Sequence, residues 1–234
     1  MIGIFFEFMT SLKFQSLILQ INKASMFKDI EFKKALQELS DKEKDKLILR
    51  LLRRDMDLAE KLYFELVDTD SIEDKRRIME TTISKYIKRF SENYHSLDYI
   101  AVEMRSISGK ISHHVKITKD KFGEISLNLQ MLNEVIEQNA FSLTHSKPQK
   151  SNKFYNYVIV RSFKILLLIE ALHEDFLLDF KEDLKRLGAN ISKNGMLLKT
   201  ANYNSLDVNW ILNAEIPENI IQIHKEIKAA GFLK

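Results

Sequence analysis

The stretch FYNYVIVRSFKILLLIEAL, residues 154–172, carries the strongest structural signal in the chain. Its apolar side chains surround nearly the whole helix circumference, at 158–160, at Phe163 and at 165–169. A helix that is apolar nearly all round belongs at the centre of a packed protein. The run is too short, and too interrupted by Arg161 and Lys164, to predict a membrane span. We therefore predict that residues 154–172 form the central helix of a soluble protein.

The remainder of the sequence favours an all-α fold. Only six Gly and two Pro occur among 234 residues, so the turns that hairpin-rich β folds need are scarce. Ser40, followed three residues later by Glu43, predicts a capping box at the start of a helix. We predict antiparallel helical hairpins that form an irregular helical bundle around the central helix, 154–172.

Four segments follow from the spacing of these patterns. Residues 1–25 are predicted to be an N-terminal extension or an extra helix. Two alternative interpretations are a translated upstream extension, with the natural start at Met26, and a membrane-associated segment. Residues 26–140 are predicted to form helical hairpins, and 141–152 a linker that contains Pro148. Residues 153–234 are predicted to form a C-terminal helical region packed on the first as one continuous fold.

Two stretches are predicted to be non-helical. The basic segment 110–121 follows Gly109 and has a partial strand-like alternation, so it is predicted to be a loop or a short hairpin arm. Gly188 is predicted to stop a helix, and residues 189–205 are predicted to be irregular.

Composition excludes several classes of site. The chain has no cysteine, which excludes disulfides, thiolate zinc sites, iron–sulfur clusters and a cysteine nucleophile. This composition fits a reducing cytoplasm, which is the predicted location. The net charge of +3 is too small to imply a polyanionic partner by itself. No catalytic residue and no cofactor is predicted.

Two Glu-x-x-His motifs, Glu92–His95 and Glu170–His173, place a carboxylate and an imidazole on one helix face. Glu60 precedes the first motif, and Glu134 and Glu137 precede the second. This order resembles the ferritin-like di-iron carboxylate family, which implies a four-helix bundle with a metal site in its core.

The positions of these residues around their helices do not fit that family, in which every metal ligand points into the core of the bundle. Glu92 points nearly opposite to the inward direction that Phe90 and Tyr94 set, and Glu134 faces away from its apolar stripe. Only Glu170 and His173 share a face with apolar neighbours. They remain candidates for a metal site, and a buried polar pair or a partner contact is the other interpretation.

The Glu-x-x-Glu motif at 134–137 also resembles the paired acidic motifs of the all-α nucleotide pyrophosphatases, which hold magnesium at a phosphate chain. Those enzymes carry a second motif, Glu-x-x-Asp, one helix later. No Glu-x-x-Asp follows Glu137 here, so a solvated helix face is the favoured interpretation of this motif.

Basic residues near aromatic ones indicate a possible nucleic-acid surface, because cations contact phosphates and rings stack on bases. The candidate residues are Lys75, Arg76, Arg77, Lys85, Lys88, Arg89, Lys147, Lys150, Lys153 and Tyr155. The other interpretation is that these cations form the wet side of amphipathic helices.

Three functions are therefore ranked from the sequence. A protein–protein interaction or oligomeric scaffold module comes first, with a protein partner or a second copy of the chain bound through an apolar helical face. A nucleic-acid-associated protein that uses the basic residues is the alternative. An enzyme with a carboxylate–metal site is third.

Overall fold

The computed structural model describes residues 28–145, 152–172 and 176–233. Within these ranges the chain is helical and has no β-strand, which confirms the predicted all-α class. The helices are α1 (Ile30–Glu38), α2 (Asp41–Leu52), α3 (Met56–Leu66), α4 (Ile72–Glu92), α5 (Leu97–Thr118), α6 (Lys121–Gln138), α7 (Ala140–His145), α8 (Asn152–Glu170), α9 (Leu177–Lys193), α10 (Gly195–Tyr203), α11 (Val208–Leu212) and α12 (Ile220–Ala229). No helix among these residues is long and apolar enough to cross a membrane.

The chain divides into two compact units, with the boundary between Ala59 and Glu60. The described part of the first unit contains α1, α2 and the start of α3. Local signals start its helices: the Asp29 side chain accepts the backbone N–H of Glu31 at 2.9 Å and caps α1. Glu43 accepts the backbone N–H of Ser40 at 2.9 Å, which confirms the predicted capping box of α2.

The second unit, residues 60–234, contains the hydrophobic core. Helix α8 has nine buried residues and packs against α5, α6, α10 and α12, as the prediction of a central helix requires. Helix α6 is equally central: it has ten buried residues and packs against α4, α5, α8 and α9. The core therefore contains two central helices, of which the sequence predicted one.

Helix α5 runs on through the segment that was predicted to be a loop or hairpin arm. Ile107, Ile111 and Thr118 are buried at helical spacing, so the apolar side of α5 continues to its last residue. Gly109 lies inside the helix, and α5 ends at Lys119, whose φ of 62° is left-handed. The prediction for residues 110–121 was wrong because the exposed basic face concealed a helical pattern of buried positions.

Gly188 does not stop α9 but lies within it, at a close approach to α11. A Cβ atom at position 188 would lie 2.7 Å from the backbone nitrogen of Leu212. The glycine therefore serves helix packing, and residues 195–203 form α10 instead of the irregular segment that was predicted for 189–205.

Candidate functional site

The first unit exposes apolar side chains along its helices. Among its described residues, 28–59, none is buried, although α1 and α2 are amphipathic. We use the name N-terminal apolar face for eight exposed side chains of this unit: Ile30, Phe32, Leu36, Ile48, Leu49, Leu51, Met56 and Leu58. Between 37% and 69% of each of these residues is accessible to solvent. We take these exposed apolar side chains as a candidate surface for binding another molecule.

Carboxylates pair with most of the basic residues predicted on α4. Lys75 Nζ lies 2.6 Å from Asp68 Oδ2 and 2.9 Å from Asp70 Oδ2, and Lys88 lies 3.8 Å from Glu92. Arg77 pairs with Asp74, Arg76 pairs with Asp120, Arg89 lies over the Tyr86 ring, and Lys85 is exposed. Four of these six cations have an anionic partner, so their net positive field is small. A nucleic-acid surface on α4 stays a prediction.

Arg76 belongs to a buried polar cluster at the connection between α5 and α6. Its Nε donates to Asp120 Oδ2 and its Nη2 to Asp120 Oδ1, both at 2.8 Å. His114 Nε2 lies 3.3 Å from Asp120 Oδ2, and the Gly123 N–H donates to Oδ1 at 2.7 Å. Asp120 therefore caps α6 and ties α4 to the α5–α6 connection.

This cluster sets the charge state of Asp120. Burial by itself raises the pKa of the carboxyl group, but the hydrogen bonds from His114, Arg76 and the Gly123 N–H outweigh burial. The pKa of Asp120 is consequently held well below its ordinary value, and that of Arg76 is raised chiefly by its hydrogen bond to Asp120. The carboxylate is ionised at neutral pH and acts as a structural anion.

The remaining predicted nucleic-acid residues lie near the start of α8. Lys153 is exposed in the first turn of this helix. Tyr155 is buried in the core with its ring edge toward Phe154, at a centroid distance of 5.7 Å, so it cannot stack on a base there. Lys147 and Lys150 lie outside the described residues.

The acidic residues of the predicted metal motifs point to different partners. Glu134 Oε1 accepts hydrogen bonds from Ser84 and Gln130, at 2.8 and 2.9 Å, while Glu137 Oε1 accepts one from Arg186 Nε at 2.7 Å. These two carboxylates join α6 to α4 and to α9. Glu137 is exposed, as the prediction of a solvated face for this motif requires, whereas Glu134 is half-buried.

The other members of the ferritin-like order are also dispersed. Glu60 lies 2.7 Å from His113, and His95 packs edge-on against Tyr99. Glu170 is exposed at the end of α8, and His173 lies outside the described residues. Within the described ranges, no group of three His, Asp or Glu side chains could hold a metal ion.

A cleft of about 870 Å³ lies between α5, α8 and α10 in the second unit. Arg105 of α5, Lys153 of α8 and Lys199 of α10 line it, together with Tyr157 and Tyr203. Among the described residues, the lining also includes three asparagines and no acidic residue. The cleft therefore combines positive charge, aromatic rings and amide groups in one concave surface, which makes it a candidate ligand site.

Tyr157 is held rigidly at the wall of this cleft. Its hydroxyl group donates to the Met104 carbonyl oxygen at 3.1 Å, is hydrogen-bonded to the Ser108 hydroxyl and accepts from Arg161 at 3.2 Å. The guanidinium groups of Arg105 and Arg161 lie 5.6 and 5.3 Å from the centroid of its ring. Contacts of this kind fix both the ring and the two cations beside it.

Sequence reasoning identified Lys153 as a candidate, but it missed Arg105, Lys199 and Tyr203, which come from two other helices. One signal in the sequence could have indicated part of the cleft: Lys199 and Tyr203 are four residues apart and therefore share one face of α10.

Comparison of the chain with protein-family models, with curated proteins and with solved structures gives no match to any of them.

Proposed function

We propose that this protein is a self-associating interaction module and that its N-terminal apolar face pairs with the same face of a second copy. The observation that carries this proposal is the exposure of eight large apolar side chains on helices that have their own caps. These side chains are accessible to a second molecule, and burial of apolar area is the main driving force for association.

The charge of this unit favours a second copy as the occupant. Residues 28–59 contain nine Lys or Arg and eight Asp or Glu, interspersed along α1 and α2. A surface with both signs of charge can meet itself without net repulsion, whereas a strongly charged one would select an oppositely charged partner. Two-fold pairing would place the same residues of both copies in one isologous interface.

Light scattering on the full chain during size-exclusion chromatography tests this proposal. We expect a mass twice that of the chain, falling toward the single-chain mass on dilution. The double variant Ile48→Gln, Leu51→Gln should shift the protein to the single-chain mass. Its far-UV circular dichroism should not change, because both side chains are exposed and support no internal packing.

Lys46→Gln is the matched control, since position 46 lies about 200° around α2 from Ile48. This variant should keep the dimeric mass of the unmodified chain. A single-chain mass for the unmodified protein at every concentration would refute self-association. A dimer that tolerates the double glutamine variant would show that the interface lies elsewhere.

A further inference from the structure

We propose that the cleft between α5, α8 and α10 binds a free nucleotide, a ligand that joins a planar base to a phosphate group. This site lies within the second unit and uses none of the residues of the N-terminal apolar face. The inference is therefore independent of self-association.

The charge around the cleft selects an anionic ligand. Arg105, Lys153 and Lys199 approach it from three different helices, and the part of the chain that the structure describes adds no Asp or Glu to its lining. None of these three cations forms an ion pair within the described part of the chain, in contrast to the paired cations of α4. Unneutralised cations in a concave site raise the local concentration of anions. A phosphate group meets this requirement because Arg and Lys both donate to its oxygens.

An exposed ring beside these cations selects a planar group. Tyr203 is 70% exposed, and its ring is held edge-on against Phe232 at a centroid distance of 5.5 Å. Tyr203 also lines the cleft, so most of its ring surface is accessible to a molecule bound there. A base can stack on a tyrosine face without any sequence-specific hydrogen bond.

One of the three asparagines that line the cleft is buried and held by hydrogen bonds. Asn204 is 2% exposed, accepts the Leu233 N–H at 2.9 Å and donates to Asn156 Oδ1 at 3.2 Å. Thr200 and Asn152 add further donors and acceptors to the lining. The exposed Asn152 side chain and the Thr200 hydroxyl oxygen can hydrogen-bond a sugar or the edge of a base, which is how a small number of polar groups orients a ligand in a cleft.

The size and surroundings of the cleft favour a free nucleotide over a nucleic-acid strand. A volume of about 870 Å³ falls in the range of small-molecule sites. A strand also requires a continuous basic track along its backbone. The cations of α4 do not supply such a track, because carboxylates neutralise four of them.

Isothermal titration calorimetry of the full chain with ADP, GDP, CDP and UDP tests the proposal. Adenosine, inorganic phosphate and single-stranded RNA are the comparison ligands. We expect at least one nucleotide to bind about tenfold more tightly than either adenosine or phosphate, because the site contacts both parts of the ligand. Affinity should fall as salt is raised.

Two variants assign binding to the cleft. Lys199→Ala should weaken nucleotide binding by about tenfold, the effect of one charge-assisted hydrogen bond, and Tyr203→Leu should weaken it by a similar factor. Lys181→Ala removes the same charge from an exposed position of α9 outside the cleft and should leave the affinity unchanged.

Several results would overturn the inference. Absence of binding by all four nucleotides, or equal weakening by Lys199→Ala and Lys181→Ala, would remove the cleft as the site. Binding of adenosine as tight as that of ADP would exclude a phosphate-selecting site. RNA that binds more tightly than every nucleotide, with an affinity that depends on Lys199, would identify a strand as the ligand instead.

Discussion

Arg76 and Asp120, which lie 44 residues apart in the chain, form a two-pronged ion pair with both nitrogen–oxygen distances at 2.8 Å. The Asp120 side chain is 2% exposed, so this pair is shielded from water far more than the other ion pairs of α4. Asp120 also caps α6, and Arg76 lies over the Phe122 ring at 4.6 Å. One carboxylate thus joins α4, α5 and α6.

Removal of the arginine should destabilise the second unit strongly. Arg76→Gln leaves a buried carboxylate without its cation, and we expect the free energy of unfolding to fall by about 3 kcal/mol. Urea unfolding followed by circular dichroism measures this loss. Lys88→Gln is the control, because it breaks an exposed pair with Glu92 and should change stability by less than about 0.5 kcal/mol. Equal losses in the two variants would contradict a structural role for the buried pair.

The same carboxylate predicts how stability depends on pH. The pKa of Asp120 is lower in the folded chain than its ordinary value of 3.8, so the unfolded chain binds a proton more readily. Its contribution to stability is complete above that ordinary value and is lost as the pH falls toward the folded pKa. Urea unfolding at a series of acidic pH values should show a free energy that falls below about pH 4.

Asp120→Asn should make this acid dependence shallower, because the group that takes up the proton is gone. Some dependence should persist, since the pKa of Glu137 is also lowered, chiefly by its hydrogen bond to Arg186. Glu182→Gln is the control: its carboxylate is exposed and 3.9 Å from Lys185, and its removal should leave the slope unchanged. An unchanged slope in Asp120→Asn would contradict the assignment.

Two helical glycines should respond oppositely to alanine. Gly109→Ala adds a methyl group where nothing lies within 4 Å, so the higher helix propensity of alanine should stabilise the protein by about 0.5–1 kcal/mol. Gly188→Ala places its methyl 2.7 Å from the Leu212 backbone and should destabilise the protein by about 1–3 kcal/mol. Thermal unfolding of both variants checks the sign of each change. Stabilisation by Gly188→Ala would refute the close approach of α9 and α11.

Loss of the Tyr157 hydroxyl should weaken the packing of α8 on α5. Tyr157→Phe removes hydrogen bonds to Met104, Ser108 and Arg161, and we expect a loss of about 1–2 kcal/mol in urea unfolding. Tyr86→Phe serves as the control, because no hydrogen bond of the Tyr86 hydroxyl is found among the described residues. An unchanged free energy of unfolding in Tyr157→Phe would show that water replaces these hydrogen bonds without loss of stability.

Local signals in the sequence predicted the elements whose causes are local. The central helix followed from apolar residues on all sides of 154–172, and α2 followed from the Ser40–Glu43 capping box. The continuation of α5 beyond Gly109 was missed because its inward positions include the polar residues His114 and Thr118, which weaken the apolar period.

The cleft could not be predicted from the sequence for a different reason. Arg105, Lys153 and Lys199 are each about 50 residues from the next, and only the packing of α5 and α10 on α8 brings them to one surface. Phase arguments can place a side chain on one face of its own helix, but they do not say which helices become neighbours. Tyr155 shows the same limit, since its position beside basic residues suggested exposure and packing buried it.

The uncovered N-terminal helices also have a consequence for the lifetime of the protein. Because α1 and α2 have no buried residue to anchor them, they should open far more often than the helices of the second unit. Proteases and chaperones recognise such openings, so an unassembled chain would be degraded faster than an assembled one. Under the proposed self-association, assembly would raise the abundance of the protein by protecting α1 and α2.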